Sequence, residues 1–407
     1  MNKLLTKTML VPRYQTRFTC VGPECPDTCC SGWRITIDKP TFQRYKATGH
    51  STLKPLFKLH VKRNRQASGD AEYGVIKLDG PSGTCGMQAA SGLCQVQSSL
   101  GEDALSNTCH AYPRHTRQFA GAFEQSLTLS CPQAARLALL EPDAFEFEQV
   151  PVTARDETVM AHPPVPGLDH DTMFAIRTWA MQLLHTRQLS VVERLAVLGL
   201  FCDQIEALLE QKQPERLPFL LEQMTLAVES GAILESLASL PSNEALHVEL
   251  FARFLCNRNI AFRSVHQQNI FRQIAMGLGA DEEGTASVAQ IEARYRAGRE
   301  LLVQSAGLEA VLERYLLNET IREAFPWGHG SPLFHYRHRL VCFGVVRMML
   351  AGYANTQGHP LAEAEAAEVI QVFCRAFQHN GAFASSIENI LHQCEWESLH
   401  QWIALLK

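Results

Sequence analysis

From Asp169 onward, apolar residues recur every three or four positions, the spacing that gathers them on one face of an α-helix. Met173, Ile176, Ala180, Leu183 and Leu184 make one such stripe; Leu195, Leu198, Ile205 and Leu208 make another. Similar stripes over 245–256, 262–278, 288–303, 306–324, 333–352, 361–378 and 383–406 predict a helix in each. Ser242-Asn243-Glu244 offers a cap before the 245–256 helix, and Pro360 suits the first turn of another. Stripes of this kind face a core, so residues 169–407 read as an all-helical domain.

Residues 1–140 follow another pattern. Clusters of Gly, Pro and Cys predict loops, with short strands at Trp33–Ile37, Tyr73–Leu78 and Ser126–Leu129, where aromatic, branched or alternating residues concentrate. Between the two regions, Pro142, Pro151, Pro163, Pro164 and Pro166 interrupt regular structure, and 141–168 read as a linker. The fold class is therefore mainly α: a loop-rich, cysteine-bearing domain over 1–140 with a few short strands, then the helical domain.

Composition narrows the function. With 46% hydrophobic and 19% charged residues the chain has an ordinary globular balance. No apolar run approaches the roughly 20 residues of a membrane helix, so no membrane role is expected. Lys3, Lys7, Arg13 and Arg17 interrupt the opening stretch, which lacks the apolar core of an export signal. A cytoplasmic protein is expected, and there cysteines point to metal or redox chemistry rather than disulfides.

Charge is uneven. Residues 1–70 hold 13 Lys/Arg against four Asp/Glu, net +9, leaving 24 against 38, net −14, for the rest. No nucleic-acid-binding motif accompanies the basic arm, so no nucleic acid is expected as partner. Cations near anionic thiolate clusters, a face for an acidic protein, or a plain solvated surface each account for it.

Of 13 cysteines, eight precede residue 132: Cys20, Cys25, Cys29, Cys30, Cys85, Cys94, Cys109 and Cys131. The strongest signal is Cys20-x4-Cys25-x3-Cys29-Cys30, in which short spacings let one loop wrap a metal and Gly22, Pro23, Pro26 and Gly32 supply turns. Thiolates are soft ligands suited to zinc, Cu(I) and iron–sulfur centres. Four or more ligands are expected from the eight. Neighbours Cys29 and Cys30 point apart on most backbones, so at most one is expected to bind a first ion. Cys202, Cys256, Cys342, Cys374 and Cys394 lie in helical sequence and read as packing.

The array Phe-x-Cys-x4-Cys-x3-Cys-Cys-x-Gly-Trp, spanning Phe18–Trp33, resembles the opening of the flagellin lysine N-methylases, the FliB-type proteins, which are related to a wider group of cysteine-rich zinc- or iron-chelating proteins. Gly92-Leu-Cys94 with Gln95 and Gln97, Leu105-Ser-x-Thr-Cys109, Tyr112-Pro-Arg114 and Leu129-Ser-Cys-Pro132 resemble the same family. Further on, Glu313-Arg-Tyr315, Leu317-Asn318 and Phe325-Pro326 look like the family's Tyr-x2-Asn and Phe-Pro positions. His110 departs from the Arg expected after Thr-Cys, which puts any role of that position in doubt. The resemblance implies methyl transfer from S-adenosylmethionine to flagellin lysines, with the N-terminal cysteines binding an iron–sulfur cluster of the 4Fe–4S type; zinc is the alternative.

The residues themselves support that chemistry only in part. A lysine amine is protonated near neutrality, so a methylase must desolvate it or supply a base. Tyr112 and Tyr315 are the catalytic candidates, ahead of His110, His115, His335 and Tyr336, as bases, orienting groups or aromatic faces for a cation. No donor site is evident: Gly277-Leu-Gly279 with Gly284 follows a predicted helix, whereas a nucleotide-binding glycine loop follows a strand. The competing function is a non-enzymatic adaptor, with metal stapling the fold and the helices binding a partner.

Overall fold

The structure is a computed structural model that describes residues 4–406 except 81–82, 234–243, 256–263, 329 and 397. Its N-terminal region contains more sheet than the sequence pattern suggests. Ten strands occur among the described residues: β1 Leu4–Pro12, β2 Thr36–Ile37, β3 Val61–Arg63, β4 Gly74–Ile76, β5 Leu78–Asp79, β6 Thr84–Cys85, β7 Arg114–Phe119, β8 Ala122–Leu127, β9 Phe147–Arg155 and β10 Met160–Ala161. Five build one sheet in the order β10-β7-β8-β1-β9. β1 runs parallel to β8 and pairs antiparallel with β9 along its whole length, Leu4 opposite Arg155 and Pro12 opposite Phe147. β7 and β8 form a hairpin whose two turn residues, Ala120 and Gly121, both have positive φ, the geometry that matches strand twist.

β9 lies inside the segment read as a linker. It carries Pro151, and it occupies the sheet edge, where a residue lacking N–H is tolerated. The expected strand at Trp33–Ile37 is extended only at Thr36–Ile37, Tyr73–Leu78 divides into β4 and β5, and Ser126–Leu129 is the end of β8.

The longer helices are α1 Lys39–Ala47, α2 Leu53–His60, α3 Pro132–Leu140, α4 His170–Leu184, α5 Val191–Glu210, α6 Leu217–Glu229, α7 Glu244–Leu255, α8 Val265–Gly277, α9 Val288–Val303, α10 Leu308–Arg322, α11 Pro332–Gln357, α12 Glu363–Phe373 and α13 Gly381–Gln393. From residue 169 on, the regular structure among the described residues is helical, as the stripes predict. Asp169 and Ser331 cap α4 and α11, and reciprocal capping boxes start α5 (Ser190, Glu193) and α9 (Ser287, Gln290). Pro360 precedes α12, whose cap position is Ala362, rather than sitting in its first turn. Of the proposed cap before α7, Ser242 and Asn243 lie outside the described residues.

The helices share one large core with the inner face of the sheet and α3. A second, smaller core lies in the cysteine-rich region, where Ile35, Tyr45, Phe57, Val61, Ile76 and Met87 pack with Cys85. Gly277, of the 277–284 glycines, and Gly298 have a packing role. A Cβ on Gly277 would lie 1.7 Å from the Gly352 carbonyl oxygen, and one on Gly298 2.4 Å from that of Ala351. α8 and α9 therefore both approach α11 closely through absent side chains.

Charge fixes the helices as well. Glu313 on α10 accepts from Arg194 of α5 at 2.8 Å, and from Arg187 and His185 at 3.2 Å each. Arg194 is itself buried and donates to the Leu184 and Leu189 carbonyls. Burial would raise the Glu313 carboxyl, but the hydrogen bonds from His185, Arg187 and Arg194 outweigh it and hold the group at about 2.

Two outcomes follow from this packing. Gly277→Ala should cost about 1–3 kcal/mol through overpacking, read as a lower urea midpoint at unchanged slope. Glu313→Ala, which strands the buried Arg194, should cost about 3–5 kcal/mol. Because the folded-state pKa of Glu313 lies below its unfolded value, its contribution is complete above about pH 4.5 and disappears as pH falls toward 2. The wild-type and Glu313→Ala stabilities should converge over that interval in pH-dependent unfolding.

Candidate metal centre and a buried polar seam

The cysteine loop is held against the helical region by Asp27. This fully buried carboxylate accepts through Oδ2 from Gln267 of α8 at 3.0 Å and Gln371 of α12 at 3.2 Å, and its Oδ2 forms an ion pair with Arg375 at 3.3 Å. Arg375 lies in a single π-turn, Cys374–Gln378, that continues α12. It also donates to the carbonyls of Thr28 at 2.6 Å and Ser31 at 2.9 Å. Burial works against its charge, but Tyr112, Asp27 and the nearby thiols raise its pKa above the ordinary value.

Cys29 is the electrostatic hub of the thiols. A hydrogen bond from Cys30, then the charge of Arg375, lower it to about 7 against the opposing effect of burial. A charge on Cys29 raises the pKa of Cys25, Cys30, Cys85, Cys94, Cys109 and Cys131. Burial is the larger cause for Cys85, raised to about 11, and for Cys109 and Cys131, each raised to about 12. Cys30, Cys94 and Cys109 border the small core that contains Cys85, and the backbone N–H of Cys85 donates to the Cys30 carbonyl at 2.7 Å. Cys20 is exposed, its sulfur accepting from Gly22 N at 3.5 Å.

As a donor set, these thiols fit a thiophilic centre: buried sulfurs that resist ionisation alone become thiolates once a cation compensates them. Among the described residues, however, no three His, Cys, Asp or Glu side chains surround a common point closely enough to hold an ion. The cysteines read as packing behave so: Cys202 and Cys374 are buried, and burial pushes both thiols up, as it does Cys342. Cys256 lies outside the described residues.

Beside the loop, Tyr112, Trp33 and His379 line a small notch of about 40 Å³ with Ser130 and Arg375. The Trp33 and Tyr112 ring centroids are 5.5 Å apart, and Trp33 donates through Nε1 to the Cys29 carbonyl at 2.6 Å. Ser130 Oγ lies 3.2 Å from Tyr112 Oη and 2.9 Å from His379 Nε2. Burial, then Arg322 and Arg375, lower His379 to about 4, so the imidazole is neutral at physiological pH. Burial also raises the Tyr112 phenol.

Tyr315 is on another cavity, of about 130 Å³, bordered by Glu319, Arg322, Arg339 and Gln378. The structure therefore does not bring the two tyrosines onto one pocket. Asn318 is a tie: its Oδ1 accepts from Tyr14 Oη at 2.5 Å, and Tyr14 Oη accepts from the Leu127 N–H at 3.0 Å. His335 and Tyr336 are buried in α11, the latter filling the space beside Gly199. His110 is partly buried, and burial lowers its pKa. His115 is more strongly lowered, by burial, Arg322, Arg117 and His379.

These groups outline a polar seam between sheet and helices. It runs from the exposed His379 past the partly buried His115, which feels the charges of Arg322 and Arg117, to Arg117, which donates to the Arg322 carbonyl at 2.7 Å, and ends at the buried Glu124–Arg177 ion pair, 2.6 Å long. Sequence reasoning missed Asp27, Glu124, Arg177, Arg375 and His379. The available signal was a lone charge on an otherwise apolar helical stripe, which Arg177 and Arg375 both show.

The basic arm finds acid within the chain. Arg13 pairs with Asp143, Glu146 and Glu148, and Arg17 with Asp143 and Glu141. No described helix is long and apolar enough to cross a membrane.

Comparison with known proteins agrees with this architecture's origin. The chain is 36% identical over 145 residues to a protein named lysine-N-methylase from Salmonella typhimurium, covering 35% of each chain. It is 34% identical over 145 residues to a like-named protein from Salmonella choleraesuis, again covering 35% of each. A flagellar biosynthetic protein FliU from Salmonella muenchen is 36% identical over 141 residues, 34% of this chain and 80% of that one. The chain thus spans about a third of the length of the first two relatives. No solved structure matches. Residues 177–405, more than half of the chain, match the FliB lysine N-methylase C-terminal domain, and the protein belongs to that family.

Proposed function

We propose that the protein transfers methyl groups from S-adenosylmethionine to lysine side chains of flagellin in the cytoplasm. The carrying observation is family membership over 177–405, joined to relatives whose names specify lysine N-methylation. The flagellar name of a third relative supports the choice of flagellin as substrate. Four of Cys29, Cys30, Cys85, Cys94 and Cys109 are the proposed ligands of a 4Fe–4S cluster, with zinc as the alternative, and Cys25 and Cys131 flank them. A thiolate-bound centre would supply a cross-link between loops whose own core is small.

In the transfer, the amine lone pair forms the new N–C bond as the S–C bond breaks, and the sulfonium becomes a neutral thioether. The amine must first lose a proton. The seam favours that loss: burial and Arg322 and Arg375, which hold His379 at about 4, disfavour an ammonium in the same way. Tyr112, adjoining Ser130 and His379, is the orienting hydroxyl at this end of the seam.

Purified, anaerobically handled protein supplied with methyl-labelled donor should label flagellin lysines. Tyr112→Phe should slow labelling by roughly 10²-fold, the lower end of positioned acid–base and orienting effects, at unchanged metal content. Absence of label with metal-loaded protein would leave the adaptor function. For the centre itself, Cys29→Ser and Cys94→Ser should each deplete bound iron or zinc, whereas Cys342→Ser should not. Metal and acid-labile sulfide analysis distinguishes these outcomes, and equal metal in all three variants would remove the thiols from the assignment.

A further inference from the structure

The far end of the polar seam opens on a cavity of about 370 Å³ between the sheet and α4. That size lies within the range of small-molecule sites. Its walls are Phe145, Phe147, Phe174 and Met181, three phenyl rings and a thioether. Glu124 and Arg177 also line it, both at least 97% buried and paired through Glu124 Oε1. Their remaining capacity is unspent: Glu124 Oε2 and Arg177 Nε are buried without a hydrogen-bond partner. Buried polar groups are normally satisfied, so an acceptor and a donor left adjacent at an aromatic cavity need an explanation.

We propose that this cavity binds a purine nucleoside, the adenosyl portion of the methyl donor. A flat heteroaromatic ring stacks against phenyl faces irrespective of charge. The exocyclic amino group of adenine is a donor for the free Glu124 oxygen, and a ring nitrogen is an acceptor for the free Arg177 N–H, once the side-chain pair, whose free atoms are covered, turns toward the ligand. An alkylammonium fits less well, because Arg177 neutralises Glu124 and removes most of the attraction for a cation. Phe174, Thr178, Met181 and Gln182 lie on one stripe of α4, with His185 just past its end, and the exposed Gln182 and the partly exposed Thr178 offer polar partners for ribose hydroxyls. The assignment rests on the methylase reading and gives that reading the donor site the sequence does not reveal.

Isothermal titration of the full chain with S-adenosylhomocysteine, adenosine and N-acetyl-lysine amide tests it, alongside flagellin labelling. Wild-type protein should bind the first two. Phe174→Ala, at an exposed position, should weaken both by roughly tenfold, as expected for loss of one stacking face. Thr178→Trp should abolish both, with thermal unfolding confirming that each variant is folded. Should Thr178→Trp fail to fold, Phe174→Ala decides. If wild-type protein labels flagellin while the variants bind S-adenosylhomocysteine unchanged, the cavity assignment falls and the methylase reading stands. If the lysine analogue binds and adenosine does not, the cavity is an amine site and the proposal is wrong. Wild-type protein that neither binds S-adenosylhomocysteine nor labels flagellin overturns both.

Discussion

The buried carboxylate of Asp27 is the constraint on which the arrangement depends. A charge removed from water requires partners, and those here come from α8, α12 and the π-turn after it. Three helical elements from beyond residue 260 therefore converge on one side chain of the cysteine loop. The same contact brings Arg375 beside Cys29, where its charge, after the hydrogen bond from Cys30, helps to lower that thiol. Thiol chemistry in the first third of the chain is thereby coupled to packing in the last.

The second tie is neutral. Tyr14 bridges the Asn318 amide and the Leu127 backbone, joining the segment after β1 to β8 and to α10. The Tyr-x2-Asn resemblance points to Tyr315 as a reacting group; here Asn318 holds the layers together and Tyr315 lines a neighbouring cavity. Resemblance identified positions that matter without identifying why.

The helical domain was legible because its information is local. An apolar stripe, a Ser or Asp cap and a capping box lie within a few residues of one another, and α9 over Val288–Val303 coincides with its stripe. The large sheet was not, because β1 and β9 meet across more than 130 residues and Pro151 disguises β9 as a breaker. The eight early cysteines were visible as a group, yet their hub was not: the lowering of Cys29 draws on Arg375, which lies more than 300 residues away in the chain and outside any spacing rule. Asp27, Glu124 and His379 were invisible for the same reason as the sheet. Each is an ordinary polar residue until residues far away in the chain surround it.

The pairing of β1 with β8 and then β9 also orders events in time. The first strand's parallel neighbour β8 ends at Leu127, so the excursion between β1 and β7, with seven of the eight early thiols, can close into a loop before β9 is made and completes the sheet edge. Closing so long a loop is entropically slow. Any centre those thiols assemble thus forms either on an open chain, where sulfur is accessible to delivery machinery and to oxidants alike, or within a closed ring that already fixes which sulfurs can meet.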